Sequence, residues 1–194
     1  MIDNEADLIQ RLRSGEAPAF RELVETHKQR VFALAYDFTG NVQDAEDLSQ
    51  EAFIKVFRSI GGFRGEAQLS SWLYRIVVNL AINRRRKKAV TKMELWDTFE
   101  GDAYHGPQPE AAPEANPEKM AEASFMRRHL RRALDKLSSQ QRTIFILRHD
   151  NDLPLQQISQ ILEISEGTVK SQLFRALRKL QQHLAFYRDD LEVG

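Results

Sequence analysis

Apolar residues along this chain recur at steps of three and four, the spacing that predicts amphipathic α-helices. In the first half the pattern covers residues 5–13, 17–38 and 41–60, and Asn41 stands where a helix cap is expected. His27 lies on an apolar face with no second metal ligand nearby, so a packed histidine is the preferred interpretation. Each of the next two helices is expected to have one inward face. In the second helix it comprises Phe20, Leu23, Val24, His27, Val31, Phe32 and Ala35, and in the third helix Ala45, Leu48, Ala52, Phe53, Val56, Phe57 and Ile60.

The outer face of the third helix changes from acidic at its start to basic at its end and includes an exposed isoleucine, Ile54. An acidic first turn is favoured by the helix dipole, which is a sufficient structural explanation. A docking surface for another protein is the functional alternative, and this helix alone leaves both open.

Residues 63–88 combine aromatic, amide and cationic side chains. A short loop leads into a predicted helix with the buried stripe Ile76, Val77, Leu80 and Ala81, and the segment closes on five consecutive cations. Rings stack on unpaired bases, cations follow phosphates and amides read base edges, so this combination suits a single nucleic-acid strand. The alternative is that Trp72 and Tyr74 belong to the core and the cations to a solvated helix end.

Between residues 94 and 118 the hydrophobic period disappears. This segment contains five glutamates, two aspartates and four prolines, without a lysine or arginine before Lys119. We interpret residues 94–120 as a flexible acidic, proline-containing linker between two small helical domains, 1–93 and 121–194. The acidity can serve solubility or can compete with DNA for cationic surfaces.

The second domain is predicted to be helical throughout. Helices are expected over residues 121–137, from a cap at Ser138 or Ser139 to about 149–152, over 155–162, and from Glu166 to about 186 with Ser165 as N-cap. In the last helix the predicted buried stripe is Val169, Leu173, Ala176, Leu177, Leu180 and Leu184, opposite a polar and basic face. A short helix, a tight turn and a longer helix with a basic outer face are typical of a helix-turn-helix, although an ordinary helical hairpin has the same pattern.

The totals of the 194-residue chain exclude several classes of protein. Lys plus Arg and Asp plus Glu are both 28, so the zero net charge argues against indiscriminate coating of nucleic acid, and charge is instead segregated along the chain. The absence of cysteine excludes disulfides and thiolate metal sites. No apolar run reaches the length of a membrane span and the polar start has no signal-peptide core, so we expect a cytoplasmic protein without membrane insertion. No motif for a cofactor or a metal is present, and we expect neither.

One surface suited to an unstacked strand and another suited to a duplex groove would meet DNA that is partly open, as in transcription initiation. The chain resembles the bacterial sigma factors of the extracytoplasmic-function group, the small two-domain members of the sigma-70 family. The resemblance rests on four motifs in order, AFRELVETH (19–27), DAEDLSQEAFIKVFRSI (44–60), residues 63–88, and LPLQQISQILEISEGTVKSQLFRALRKL (153–180).

The resemblance implies a role for each motif. The helix of 44–60 would dock on the clamp of the RNA polymerase largest subunit through Asp47, Gln50, Glu51 and Ile54. Residues 63–88 would open the promoter minus-ten element and hold a flipped base, through Phe63, Arg64, Ser70, Trp72, Tyr74, Arg75, Asn79, Asn83, Arg84 and Arg85. The last helix would read the minus-thirty-five element with Thr168, Lys170, Ser171, Gln172, Phe174 and Arg175, and would contact phosphates with Arg178 and Lys179.

The resemblance also implies partners beyond promoter DNA, single-stranded and double-stranded. The helices of 139–162 would grip the polymerase flap, the linker would follow the RNA exit path, and an anti-sigma factor would cover both domains. The family commonly has a cation where this chain has Gln172.

Two other classes of protein are alternatives. A repressor or activator with one helix-turn-helix explains residues 153–180 but leaves residues 63–88 without a role. An enzyme is disfavoured because the carboxylates of 44–51 have no histidine partner, and no phosphate-binding glycine loop or catalytic triad spacing is present.

Overall fold

The computed structural model describes residues 2–95, 129–130 and 132–185, with side-chain surroundings from residue 5 to 87 and from 129 onward apart from Arg131. Over these ranges the chain forms helices and turns without a strand, which confirms the predicted all-α class. Contacts divide it into two compact units, with residues 2–95 in the first and most of residues 132–185 in the second. None of the helices in this part of the chain has the length and apolarity required to cross a bilayer.

The first unit is built from four helices and one short 3₁₀ turn. They are α1 (Ile2–Arg13), α2 (Ala17–Thr39), α3 (Val42–Ser59), the turn Ile60–Gly62, and α4 (Leu69–Leu95). α4 therefore ends just inside the segment predicted as linker, and residues 96–120 of that segment lie outside the described residues.

The boundary between α2 and α3 is set by local chemistry. Gly40 ends α2 in the left-handed conformation, at φ 74°, and donates its N–H to the Tyr36 carbonyl. Asn41 then caps α3, because its side-chain oxygen accepts the Asp44 N–H at 2.8 Å while its amide nitrogen donates to the Asp44 carboxylate at 2.7 Å. The predicted cap at Asn41 is confirmed.

The core of the first unit lies where α2, α3 and α4 face one another. α4 contributes the predicted stripe of Ile76, Val77, Leu80 and Ala81, all buried. The other buried apolar residues of the three helices include Leu23, Val31, Leu34, Ala35, Ala45, Leu48, Ala52, Val56 and Leu73. The expectation that Phe57 faces inward is wrong, since 57% of it is exposed; its ring forms an edge-to-face pair with the Phe20 ring, with centroids 5.0 Å apart.

The second unit contains a helical stretch at residues 132–135, α5 (Ser139–Phe145) continued by a π-helical turn (Ile146–Asp150), and α7 (Glu166–Leu184). α6 (Leu155–Leu162) precedes α7 and matches its predicted bounds. Ala133, Leu137, Ala176 and Leu180 form a buried cluster that joins α7 to the start of the unit. The expectation that Leu177 is buried is wrong, because 41% of it is exposed.

Two serine caps define where α5 and α7 begin. Ser138 and Gln141 form a reciprocal capping box, in which Ser138 Oγ accepts the Gln141 N–H at 3.2 Å and Gln141 Oε1 accepts the Ser138 N–H at 3.3 Å. Ser165 Oγ accepts the Thr168 N–H at 3.1 Å, which confirms the predicted cap of α7.

His27 is a packed side chain, as the sequence favours. Its ring is half-buried and lies edge-on to the Tyr74 ring, with centroids 6.3 Å apart. Burial lowers the pKa of His27 below 6.5 and the charge of Arg30 acts in the same direction, while the charge of Glu5 opposes them.

The capping box leads to a stability prediction. Ser138→Ala removes the acceptor at the start of α5 and is expected to lower the free energy of unfolding by about 1 kcal/mol. Ser139→Ala is the matched control, because it makes the same change one position later, inside the helix. Urea unfolding followed by circular dichroism measures both, and equal effects of the two variants would contradict the role of the box.

His27 leads to a pH prediction. The lowered pKa means that the unfolded chain binds more protons than the folded one between the folded-state value and 6.5. Stability is therefore lost as the pH falls below about 6.5, and His27→Gln is expected to reduce that loss. The control is His183→Gln, at an exposed histidine of α7. Thermal unfolding of the full-length protein between pH 7.5 and pH 5.5 is the measurement, and an unchanged slope of stability against pH in His27→Gln would refute the assignment.

Candidate functional site

The outer face of α3 is an exposed strip of mixed chemistry. Asp47, Gln50, Glu51 and Ile54 fall at helical steps of three and four, and all are exposed. Ile54 is 51% exposed, an uncommon fraction for an isoleucine. The structure therefore brings the four predicted polymerase-binding residues onto one surface, which we call the α3 face.

Phe57 extends the α3 face by one further helical step. It stands three positions after Ile54, and both side chains are more than half exposed. The apolar period of α3 predicts a core position for Phe57, because this residue also falls on the inward steps. When the three- and four-residue steps from Asp47 to Ile54 are continued, they predict that Phe57 faces outward.

The loop of residues 63–68 separates the 3₁₀ turn from α4. Its first residue, Phe63, is buried and its ring packs on Trp72 of α4, with centroids 5.0 Å apart. Gly65 has φ +77°, a left-handed conformation that a residue with a Cβ adopts only with strain. Arg64 is exposed beside it.

The predicted minus-ten residues consequently fall into two groups. Phe63 and Tyr74 are each only 4% exposed, and burial raises the pKa of the Tyr74 phenol. In this structure their rings support the surface from beneath and do not lie on it. Ser70, Trp72, Arg75 and Arg84 are half-buried, and Arg64, Asn79, Asn83 and Arg85 are exposed.

The exposed part of α4 carries amides followed by cations. Asn79, Asn83 and Arg86 lie at steps of four and three on one side of the helix, opposite the buried stripe. Because Val77 and Leu80 are held in the core, Asn79 and Asn83 are left on the solvent side of the helix.

Arg84 joins α4 to the α3 face. Its Nη2 lies 2.5 Å from Glu51 Oε2, its Nε donates to the same oxygen at 3.1 Å, and its Nη1 reaches the Asp44 carbonyl at 3.4 Å. The family resemblance predicts different surfaces and different partners for Arg84 and Glu51. The structure makes them neighbours.

α7 presents a separate polar and basic face. Ser171, Phe174, Arg175 and Arg178 are exposed at steps of three and four, and Lys170 is exposed beside them. Phe174 is 67% exposed. The opposite side of the helix is held in the core by Val169, Ala176 and Leu180, so this face, which we call the α7 face, cannot turn inward without exposing them.

Two further predicted residues of α7 contact Gln141 of α5. Lys179 Nζ donates to Gln141 Oε1 at 3.1 Å, and Gln141 Nε2 donates to Gln172 Oε1 at 3.3 Å. Gln141 is buried and also closes the capping box, so one amide connects the start of α5 to α7. Thr168 is half-buried, and its hydroxyl lies 2.9 Å from Ser165 Oγ.

Comparison with known proteins matches both units to one family. Residues 23–91 match the Sigma-70 region 2 model and residues 127–180 match the Sigma-70, region 4 model. The chain is 32% identical to the ECF RNA polymerase sigma factor SigW of Bacillus subtilis (strain 168) over 179 residues, which cover 91% of this chain and 94% of the relative. It is 31% identical to the ECF RNA polymerase sigma-E factor of Escherichia coli (strain K12), over 87% of this chain and 88% of the relative.

The chain belongs to the ECF RNA polymerase sigma factors. It is an alternative sigma factor, a class of transcription initiation factors.

Solved structures share the fold of this sigma factor. CnrH in complex with the cytosolic domain of CnrY matches with a TM-score of 0.63 at 20% identity, over 93% of this chain and 97% of that chain. The sigma factor RpoE in complex with the anti-sigma factor NepR from Bartonella quintana matches with a TM-score of 0.61 at 22% identity, over 86% and 96%.

The ion pair between the two helices of the sigma factor gives a prediction. Arg84 and Glu51 are partly exposed, with side-chain exposures of 31% and 47%, so a double-mutant cycle with Arg84→Ala and Glu51→Ala is expected to give a coupling of about 0.5 kcal/mol. The coupling should shrink as NaCl is raised, because salt screens exposed charges. Arg86→Ala paired with Glu51→Ala is the control cycle, and equal coupling in both cycles would show that the pair is not formed in solution.

Proposed function

We propose that this sigma factor directs core RNA polymerase to its promoters through three separate surfaces. The α3 face binds the clamp of the largest subunit, the loop of 63–68 with α4 binds the opened minus-ten element, and the α7 face reads the minus-thirty-five duplex. The observation that carries the proposal is that the α3 face, the amide and cation side of α4 and the α7 face are all exposed, while the opposite side of each helix is buried.

The α7 face has the chemistry that duplex readout requires. A helix enters the major groove, where arginine binds guanine, hydroxyls bind several base edges and an apolar group contacts the thymine methyl. Arg175, Ser171 and Phe174 supply these three groups, and Arg178 and Lys170 supply charge for phosphates. Gln172 and Lys179, which are bonded to Gln141, are better placed to fix the helix than to read bases.

The first unit has the chemistry that strand capture requires. The amides Asn79 and Asn83 can read base edges, and the exposed cations Arg64 and Arg86 can follow phosphates. Phe63 and Tyr74 are buried beneath this surface, so their part in the proposal is to support it.

We further propose an anti-sigma factor as regulator. Both solved structures reported above hold a sigma-like fold with a second protein, named as an anti-sigma factor in one of them. The exposed Ile54 and Phe57 are apolar groups that such a partner or the polymerase clamp would cover. A protein that works with RNA polymerase acts in the cytoplasm.

Run-off transcription tests the function directly. Core polymerase is incubated with genomic fragments, with and without the purified protein, and transcripts are mapped. New start sites that share two upstream elements and depend on the added protein are the expected result. Tight, specific duplex binding by the free protein, with no transcript after addition of core, would instead indicate a repressor or activator.

The α7 face gives a residue-level prediction. Arg175→Ala is expected to reduce transcription from promoters with the minus-thirty-five element by about tenfold, since a lost base contact costs about 1–3 kcal/mol, while binding to core stays unchanged. Arg132→Ala removes the same charge from an exposed position outside α7 and serves as control.

Run-off yield and core affinity are measured together for both variants. A fall in core affinity in Arg175→Ala, or an equal loss of transcript in Arg132→Ala, would remove Arg175 from the reading surface.

A further inference from the structure

The loop of 63–68 is held at both ends by one helix that precedes it by about fifty residues. Arg13 of α1 donates from Nη2 to the Phe63 carbonyl, at the start of the loop. Glu5 of α1 accepts the backbone N–H of Leu69 through Oε1 at 2.7 Å, where α4 begins. Both contacts reach backbone atoms, so they fix the path of the loop.

α1 is itself fixed to the first unit. Leu12 is buried, and Arg11 joins α1 to α2 through an ion pair with Glu22 at 3.2 Å. These contacts anchor α1 to the rest of the unit in addition to its two contacts with the loop. The helix can transmit its position to the loop through Glu5 and Arg13.

The carboxylate of Glu5 also compensates the partial positive charge at the N-terminal end of α4. The first turn of α4 contains no acidic residue of its own, and a helix N-terminus carries partial positive charge on unpaired N–H groups. Glu5 supplies the anion from another helix. The same contact stabilises the start of α4 and defines where the loop ends.

Between the two contacts the loop has little freedom. Phe63 is buried against Trp72, and Gly65 makes the left-handed turn that brings the chain back toward α4. Arg64, Gly65 and Glu66 are exposed at the tip. The result is a short exposed tip between two fixed ends.

We propose that α1 is a positioning element that holds the loop of 63–68 in the conformation that captures an unpaired base, with Glu5 and Arg13 as the positioning residues. This inference rests on the proposed function of the loop. α1 precedes both ranges matched by the family models, so the match to region 2 does not assign it a role. The physical basis is pre-organisation, because a loop already in its bound shape loses less conformational entropy on binding.

The test uses the full-length protein with core polymerase and a single-stranded oligonucleotide that spans the opened region of a promoter found by run-off. Glu5→Ala and Arg13→Ala are each expected to weaken oligonucleotide binding about three- to tenfold, the range for loss of one hydrogen bond. Core affinity should stay unchanged. Glu5→Gln keeps a side-chain oxygen acceptor and is expected to recover most of the binding.

Asp7→Ala is the matched control. It removes an exposed carboxylate from the same helix, where Asp7 pairs with Arg11 at 3.5 Å, and an exposed pair of this kind contributes little. Asn79→Ala on α4 is the positive control for oligonucleotide binding.

The outcomes separate this inference from the function on which it rests. Wild-type holoenzyme that fails to bind the oligonucleotide, or an unaffected Asn79→Ala, overturns the proposed role of the first unit. Normal wild-type binding with Glu5→Ala and Arg13→Ala equal to Asp7→Ala overturns only the role of α1. Loss of oligonucleotide binding that is matched by loss of core affinity or by a lower unfolding temperature, with no recovery in Glu5→Gln, shows a general structural role and also overturns it.

Discussion

Burial of the apolar stripe of α4 against α2 and α3 determines the rest of the first unit. Leu73 and Val77 are fully buried, and burying a side chain of this size contributes about 1.5–3 kcal/mol. An exposed ion pair contributes at most about 1 kcal/mol, so packing and not charge fixes the rotation of α4 about its axis. Once the stripe is inside, Asn79 and Asn83 have only the solvent side available. The same argument applies to α7, where Val169, Ala176 and Leu180 determine which side chains reach outward.

Helix positions and caps were predictable because their causes are local. Asn41, Ser138 and Ser165 cap the helices that follow them, and the apolar period marks α2, α3, α6 and α7 to within a few residues. Whether a residue at the edge of an apolar stripe is buried or exposed was not predictable from the local pattern. Phe57 and Leu177 match the inward period, yet neighbouring helices cover a narrower strip than the period marks, and both remain exposed.

The candidate site was predictable as a set of surfaces and less so as a set of contacts. The exposed residues of α3, α4 and α7 follow from periodicity and family resemblance. Whether an aromatic ring lies on a surface or beneath it depends on what packs over it. Tyr74 is buried, as the alternative of a core position predicts, while Trp72, which shared that alternative, is half-buried and Phe63, which did not, is buried. The contacts of Glu5 and Arg13 join residues 64 and 50 positions apart, and no local pattern marks such a pair.

The shared oxygen of Glu51 has a thermodynamic consequence. Arg84 donates two hydrogen bonds to that oxygen. A phosphate that binds the guanidinium would therefore have to break this ion pair, and a protein that binds the Glu51 carboxylate would have to break it too. The two competitors then assist each other, since whichever arrives first has already separated the pair. By reciprocity each would raise the affinity for the other by the same factor. Under the proposed function, a single bridge between neighbouring helices would thus link nucleic-acid binding at Arg84 to protein docking at Glu51, by no more than the small coupling of a partly exposed ion pair.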